Sequence, residues 1–258
     1  MLWPRWPWRQ DAPTVPESVR DRDEPVTADL EIIAVKSIGE VTRGADLAGI
    51  IAASVELHHR DVVVVTQKIV SKAEGRLVPV DDDGPAARLG VVLDQSVRVL
   101  RRRDELVISE TSHGFICANA GVDLSNVDEG WAALLPEDPD RSARRIRDGL
   151  EAVTGLVLGV VVSDTFGRPW RRGLTDVAIG CAGLAAVVDL RGSPDDRGRA
   201  LLATEVCVAD EVASAAELVM GKAEGIPVAV VRGLDASWFR EGSVQAEIVR
   251  PTGEDLFR

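Results

Sequence analysis

From Leu30 onward, short apolar runs alternate with stretches whose apolar residues recur at helical spacing, and no internal repeat or low-complexity linker interrupts them. A strand is expected over Leu30 to Val35 and a helix over Ala45 to Val55. Asp61 to Val65 is dominated by consecutive valines, the pattern of a strand covered on both faces, and it runs directly into TQKIVSKAEGR. Helical spacing covers Ala86 to Leu100, and Glu105 to Ser109 reads as a strand. Asn119 to Asn126 is too polar and Gly-rich for either, which makes it a candidate functional loop.

Pro136 and Pro139 precede Asp140, a suitable N-cap for a helix over Ser142 to Val153, and Gly155 stops that helix. Leu156 to Val162 then reads as a second buried strand that ends on Ser163 and Asp164. Apolar segments broken by glycines fill Thr175 to Leu190, and a third strand is expected over Leu201 to Val206. The next helix sets Val208, Val212, Ala215, Ala216 and Val219 on one face and ends at Gly221, before a strand over Pro227 to Val231. This mixture lacks the steady strand-helix alternation of a doubly wound sheet, so it predicts an α+β fold.

Composition narrows the function classes. With 258 residues, 45% of them hydrophobic, the chain can bury a substantial core as one large domain or two small ones. A formal net charge of -12 argues against general nucleic-acid binding, which begins with a basic face, but leaves room for a local basic pocket. Cys117, Cys181 and Cys207 lack the paired spacing of a zinc or redox motif and read as reduced, buried thiols of a cytoplasmic protein. Residues 1–28 differ in kind: Trp3, Trp6 and Trp8 interleave with Pro4 and Pro7 ahead of a charged stretch. No apolar run there suits a signal peptide or a membrane span, so a flexible extension is expected, with residues 29–258 forming the functional domain. Its Trp and Arg residues could touch a membrane surface or a partner, although a plain disordered tail explains them too.

Four polar clusters carry candidate chemistry. Taken as a strand, Thr66 to Arg76 sets Lys68 and Lys72 on one side, where both ammonium groups could reach a polyphosphate; an edge strand protected by lysines would look the same. The loop with Asn119, Asp123 and Asn126 combines a carboxylate for a hard cation with amides for a nucleotide, though Asp and Asn also simply form turns. Asp164, at a strand end, is followed by Thr165, Arg168, Arg171 and Arg172, a set suited to a metal and to anionic oxygens, or to a structural ion-pair network. Glu217, Met220, Gly221 and Lys222 close a helix, as they would in many proteins. No Walker-type or dinucleotide-binding glycine motif and no nucleophile elbow occurs, and His58, His59 and His113 lack metal-ligand spacing. The residues alone therefore reach a metal-assisted binder of phosphate compounds.

Taken together, TQKIVSKAEGR, ANAGVDLSNV, LLPEDPDRSA, VVSDTFGRPWRRG, AIGCAG, VADEVASAAELVMGKA and PVAVVRG resemble, in order, the signatures of the F420-0:gamma-glutamyl ligase family. The resemblance implies two interleaved α+β subdomains in an intertwined homodimer. It also implies GTP, magnesium or manganese, in some cases potassium, and F420-0 and L-glutamate as the other substrates. In that family GTP phosphorylates a carboxylate and the amine of glutamate attacks the acyl phosphate. By position, Asp123 and Asp164 match metal ligands and Thr165 a site near a second metal. Gln67, Lys68, Lys72 and Asn126 match nucleotide contacts. Glu217 matches the distal metal, and Met220, Gly221 and Lys222 the nucleotide region beside it. Asp123, Asp164 and Arg168 are the expected catalytic set, with Arg168, Arg171 and Arg172 assigned here to the acidic substrate. The chain departs from the family pattern at Gln67, where Ser is common, and at Ser37-Ile38-Gly39-Glu40, where Gly-(Leu/Ile)-Pro is common. It ends shortly after RPTGEDLF, so no nitroreductase-like extension is expected. Two alternatives remain open from the residues: ligation of glutamate to another acceptor, and an idle nucleotide-binding regulatory module.

Overall fold

The structure, a computed structural model, describes residues 29–80, 85–125 and 127–255; the extension expected over 1–28 and the candidate Asn126 lie outside them. In chain order the strands are β1 (Glu31–Ala34), β2 (Val62–Thr66), β3 (Leu77–Pro79), β4 (Ser96–Arg103), β5 (Leu106–Thr111), β6 (Ile116–Ala118), β7 (Trp131–Ala133), β8 (Gly159–Arg168), β9 (Arg171–Ala182), β10 (Val188–Asp189), β11 (Glu205–Val206) and β12 (Val228–Arg232). The α-helices among the described residues are α1 (Leu47–Ser54), α2 (Gln67–Glu74), α3 (Pro85–Asp94), α4 (Pro139–Thr154), α5 (Val208–Met220) and α6 (Val244–Glu247). The α+β class expected from the pattern is the one observed.

The main sheet runs β1-β12-β2-β8-β9, with β2 and β8 parallel and every other neighbour antiparallel. Val62 to Val65 and Val160 to Val162 are all fully buried, so both faces of these strands are covered, as the unbroken valine run requires. Helix α5 packs along the sheet against β9, β1 and β12, and α4 packs on β9 and β8 with α1 against it. The approach of α4 to β9 is close enough to demand glycine: a Cβ on Gly180 would lie 2.2 Å from the Pro139 carbonyl oxygen.

A second, smaller core lies in the segment between α2 and α4. Val80, Val92, Val107, Ala120, Val122, Ala132 and Leu134 pack together there, beneath the pair β3-β7 and the sheet β4-β5-β6. Strand β4 is an edge, and its Val97 is 69% exposed.

Several local expectations change. TQKIVSKAEGR is a helix, not a strand: Ile69 and Val70 are buried, and Gly75 closes α2 in the left-handed conformation. Lys68 and Lys72 still share a side, because residues four apart also align on a helix, and the edge-strand reading falls away. The helix expected over Ala86 to Leu100 stops at Asp94, since Ser96–Arg103 pairs with β5 and cross-strand bonding overrides the helical spacing. Asp138, not Asp140, caps α4: its carboxylate accepts from the Arg141 N–H at 2.8 Å, ahead of Pro139 at the helix start. Asp140 is instead a buried hub, accepting from the N–H groups of Cys181 and Val244 at 2.9 Å and from the Ser243 hydroxyl at 2.7 Å. The strand expected to end near Val162 begins at Gly159 and continues to Arg168, because β9 pairs with it along that length. The one expected over Leu201 to Val206 shrinks to Glu205–Val206, the only residues of that stretch paired with β10.

Candidate active site

The parallel pair β2 and β8 lies in register, Val65 opposite Val162 and Thr66 opposite Ser163. Their carboxyl ends therefore deliver Thr66-Gln67-Lys68 and Ser163-Asp164-Thr165 side by side, in the position where sheets with parallel strands commonly receive ligands. A register shift against β9 falls between Val162 and Ser163, the kind of irregularity that re-aims side chains beside a site. A cavity of about 950 Å³ opens there, lined by both strand ends, by residues 38–41, by Asp123 and Ser125, and by the segment after α5.

On β8, alternation sends Ser163 and Thr165 to the same side, and both meet Asp176 of β9. The Ser163 hydroxyl donates to Asp176 Oδ2 at 3.0 Å and the Thr165 hydroxyl to Oδ1 at 2.5 Å. The Lys222 ammonium also lies 3.1 Å from Asp176 Oδ1 and 3.4 Å from Glu217 Oε1, and donates to Thr165 Oγ1. Burial, together with repulsion from Asp123 and Asp176, pushes the Asp164 carboxyl up to about 7, against the opposing pull of its Thr165 N–H bond and of Lys222. Glu217 is raised for the same reasons, burial first and Asp176 second.

Asp123 reaches the cavity from the smaller core. Its backbone is pinned to Ala133 by two hydrogen bonds of 3.0 and 2.8 Å, and Gly121, at φ 69° beneath Leu135, turns the chain into that position. The carboxylate accepts from the Ser125 N–H at 2.7 Å and pairs with Lys68 at 2.9 Å. Burial acts to raise Asp123, but the Ser125 and Lys68 bonds outweigh it and hold the carboxyl below its ordinary value. Lys72 pairs with Glu40 at 2.5 Å. Gln67 is 1% exposed; the Ser71 hydroxyl lies 2.9 Å from its Oε1, while Nε2 has no partner. In either orientation of the amide one polar atom is left over, to be met by a water, an ion or a ligand in the cavity.

Of the residues expected from sequence, Gln67, Lys68, Lys72, Asp123, Asp164, Thr165, Glu217, Gly221 and Lys222 line this cavity. The Met220 side chain does not: it is fully buried in the main core. Arg168, Arg171 and Arg172 stand exposed at the tip of the β8–β9 hairpin and are not among the lining residues, although the adjacent Gly167 and Leu174 are. Among the described residues, no three His, Cys, Asp or Glu side chains are arranged to hold a metal by themselves. The oxygen donors of Asp123, Asp164, Thr165, Asp176 and Glu217 nonetheless suit a hard divalent cation, whose shell is usually completed by water and phosphate. Cys117, near Asp164, is pushed up to about 12 by burial and by that carboxyl, so it stays a thiol.

Sequence reading missed Asp176, along with Glu40, Arg88 and Asp128 of the same lining. Asp176 carried a signal: a lone carboxylate within the apolar run of LTDVAIGCA, where an acid is costly to bury without partners.

Comparison with known proteins bears on the same residues. The model of the F420-0:Gamma-glutamyl ligase family matches residues 36–233, which include every cavity-lining residue named above. The coenzyme F420:L-glutamate ligase of Methanothermobacter thermautotrophicus is 40% identical over 249 residues, covering 89% of this chain and 99% of that protein. The protein of that name from Methanopyrus kandleri is 43% identical over 236 residues, 85% and 94% of the two chains, and that from Methanocaldococcus jannaschii is 41% identical over 213 residues, 77% and 84%. With the family model spanning most of its length and relatives at this identity aligned nearly end to end, the chain belongs to the F420-0:gamma-glutamyl ligase family.

Proposed function

We propose that this protein is a GTP-dependent ligase that joins L-glutamate to the carboxylate of F420-0 through an acyl phosphate, with further gamma-linked glutamates added in the same way. One observation carries the reading: a single cavity gathers the carboxylates of Asp123, Asp164, Asp176 and Glu217, the Thr165 hydroxyl, and the lysines Lys68, Lys72 and Lys222, with Lys68 paired to Asp123 and Lys222 to Asp176. That combination suits a nucleotide polyphosphate held by metal ions on the carboxylates and by the ammonium groups beside them. The volume, about 950 Å³, accommodates more than one small substrate.

In this reading, Asp123 and Asp164, with Thr165 and Glu217, would hold magnesium or manganese, which when bound offsets the charge of the phosphates. Lys68 and Lys72, in the first and last turns of α2, orient phosphate oxygens, and the spare amide atom of Gln67 bonds the nucleotide. The substrate carboxylate then attacks the terminal phosphorus and GDP leaves. The glutamate amine attacks the acyl carbon, loses a proton and expels phosphate, so that one amide forms for each GTP consumed. Water must be kept from the acyl phosphate between these steps. A homodimer is supported by the exposed apolar residues Leu93, Val97 and Val99 around the β4 edge. A role for potassium and a cytoplasmic location belong to the same proposal; no described helix is long and apolar enough to cross a membrane.

Incubation with F420-0, L-glutamate, GTP and magnesium or manganese, followed by mass spectrometry, tests the reading. Products heavier by whole glutamate residues, with GDP in matching amounts, are expected. GDP release without a glutamylated product would point to another acceptor, and nucleotide binding without turnover would point to a regulatory module; either result overturns the assignment.

A further inference from the structure

The cationic residues that line the active-site cavity are of two kinds. Lys68, Lys72 and Lys222 each pair with a carboxylate of the same lining: Asp123 at 2.9 Å, Glu40 at 2.5 Å and Asp176 at 3.1 Å. Arg88 differs. It lines the cavity too, yet among the described residues no hydrogen bond or ion pair engages its guanidinium, and Asp128 of the same lining is not joined to it.

Nothing local accounts for a cation at this position. Arg88 is part-buried in the first turn of α3, where the partial positive charge of a helix start opposes a base and no acidic residue offsets it. A guanidinium drawn from water and left unpaired costs free energy that a bound anion recovers. Its placement is also firm. Ala87, Leu89 and Val91 pack on the smaller core, and α3 leans on the Asn119–Gly121 turn that leads to Asp123.

The chemistry of the group selects its ligand. Among the described residues of the lining, Arg88 supplies the one guanidinium, since Arg168, Arg171 and Arg172 stand outside it at the hairpin tip. A guanidinium grips a carboxylate through two parallel N–H···O bonds, a geometry that a lysine ammonium does not offer. Phosphate oxygens are met by the lysines and by metal on the acids, which leaves the carboxylate substrates to this arginine. We infer that Arg88 binds a substrate carboxylate, that of the acceptor or of the amino acid, and takes the role that the sequence pattern gave to Arg168, Arg171 and Arg172. The inference rests on the proposed ligase reading for the identity of the carboxylate compounds; the unpaired guanidinium stands without it.

The test is calorimetric titration of the full chain with F420-0 and with L-glutamate, each in the presence of magnesium and a non-hydrolysable GTP analogue, and with the analogue alone. Arg88→Met keeps the aliphatic stem and removes the charge. It should weaken one of the two carboxylate compounds by about tenfold or more, the scale of a charge-assisted pair, while affinity for the analogue is unchanged. The compound affected tells the acceptor from the amino acid. Arg88→Lys should recover only part of the loss, because the ammonium keeps the charge without the paired bonds. Since Arg88 has no listed partner to lose within the chain, Arg88→Met should melt with the parent. Unchanged affinity for both carboxylate compounds overturns the inference, whether or not the variant melts lower, and so does a loss confined to the GTP analogue. Ligation by the parent with carboxylate affinities unmoved in Arg88→Met sinks this inference alone. Weakened carboxylate binding in the variant, with no ligation by the parent, sinks the ligase reading alone, and a parent that binds neither compound sinks both.

Discussion

Asp123 and Asp164 border one cavity, yet their surroundings treat charge in opposite ways. At Asp123 a short loop of the smaller core offers the Ser125 N–H and the Lys68 ammonium, and the carboxyl stays ionised well into the acidic range. At Asp164 the long strands β8 and β9 bury the group near two further carboxylates, and it holds its proton up to about 7. The first corner is neutralised from within the chain. The second leaves three acids, Asp164, Asp176 and Glu217, to share one lysine, so it gains most from a bound cation.

The largest effect that could break this contrast is on turnover. Asp164→Asn and Asp123→Asn should each lower glutamate ligation by roughly a hundredfold or more at saturating GTP, since several kcal/mol of metal-assisted stabilisation would be lost. Near-normal rates with unchanged metal dependence in both variants would mean the site lies elsewhere. Lys68→Met should raise the KM for GTP by about tenfold with a smaller change in kcat, because it removes a binding charge present in ground and transition states alike.

Stability against pH sharpens the comparison, and its sign is opposite at the two corners. The folded pKa of Asp164 is raised above the unfolded value of 3.8, so the native state holds the proton more tightly; its contribution is full below about pH 4 and is lost as pH rises toward about 7. Asp123 is lowered, so its contribution is present above the unfolded value and is lost only as pH falls below it. In metal-free buffer at pH 7.5, Asp164→Asn should therefore melt above the parent chain, by about 5 °C, and Asp123→Asn should melt below it. A parent-like or lower Tm for Asp164→Asn would show that the second corner carries no unrelieved charge. The smallest effect is expected at Gln67: Gln67→Met should change the stability of the free protein by no more than about 1 kcal/mol, since one amide atom already lacks a partner, while the KM for GTP rises several-fold.

Legibility in the sequence followed how local each cause was. The valine runs of β2 and β8 announced strands covered on both faces because burial on both sides leaves no polar alternation to read. Gly155 and Gly221 marked helix ends because termination is chemistry within a few residues. TQKIVSKAEGR was misread as a strand although Ile69, Val70 and Ala73 carry helical spacing, since an eight-residue helix presents too few turns to overrule a preceding strand. Leu201 to Val206 had the composition of a strand but found only the two-residue partner β10.

The sequence by itself determined the α+β class, most element positions, the family and the acids and lysines Lys68, Asp123, Asp164, Glu217 and Lys222 as candidates. Only the tertiary structure decided which of them meet. The register of β8 against β9 sets Thr165 opposite Asp176, and the packing of α5 on the same sheet brings Glu217 and Lys222 to that pair. The same geometry leaves Arg168, Arg171 and Arg172 at a hairpin tip and sinks Met220 into the core. The reason is physical: a side chain's charge can be read from its residue type, but its pKa and its partners depend on groups dozens of positions away, brought close by strand pairing and apolar burial.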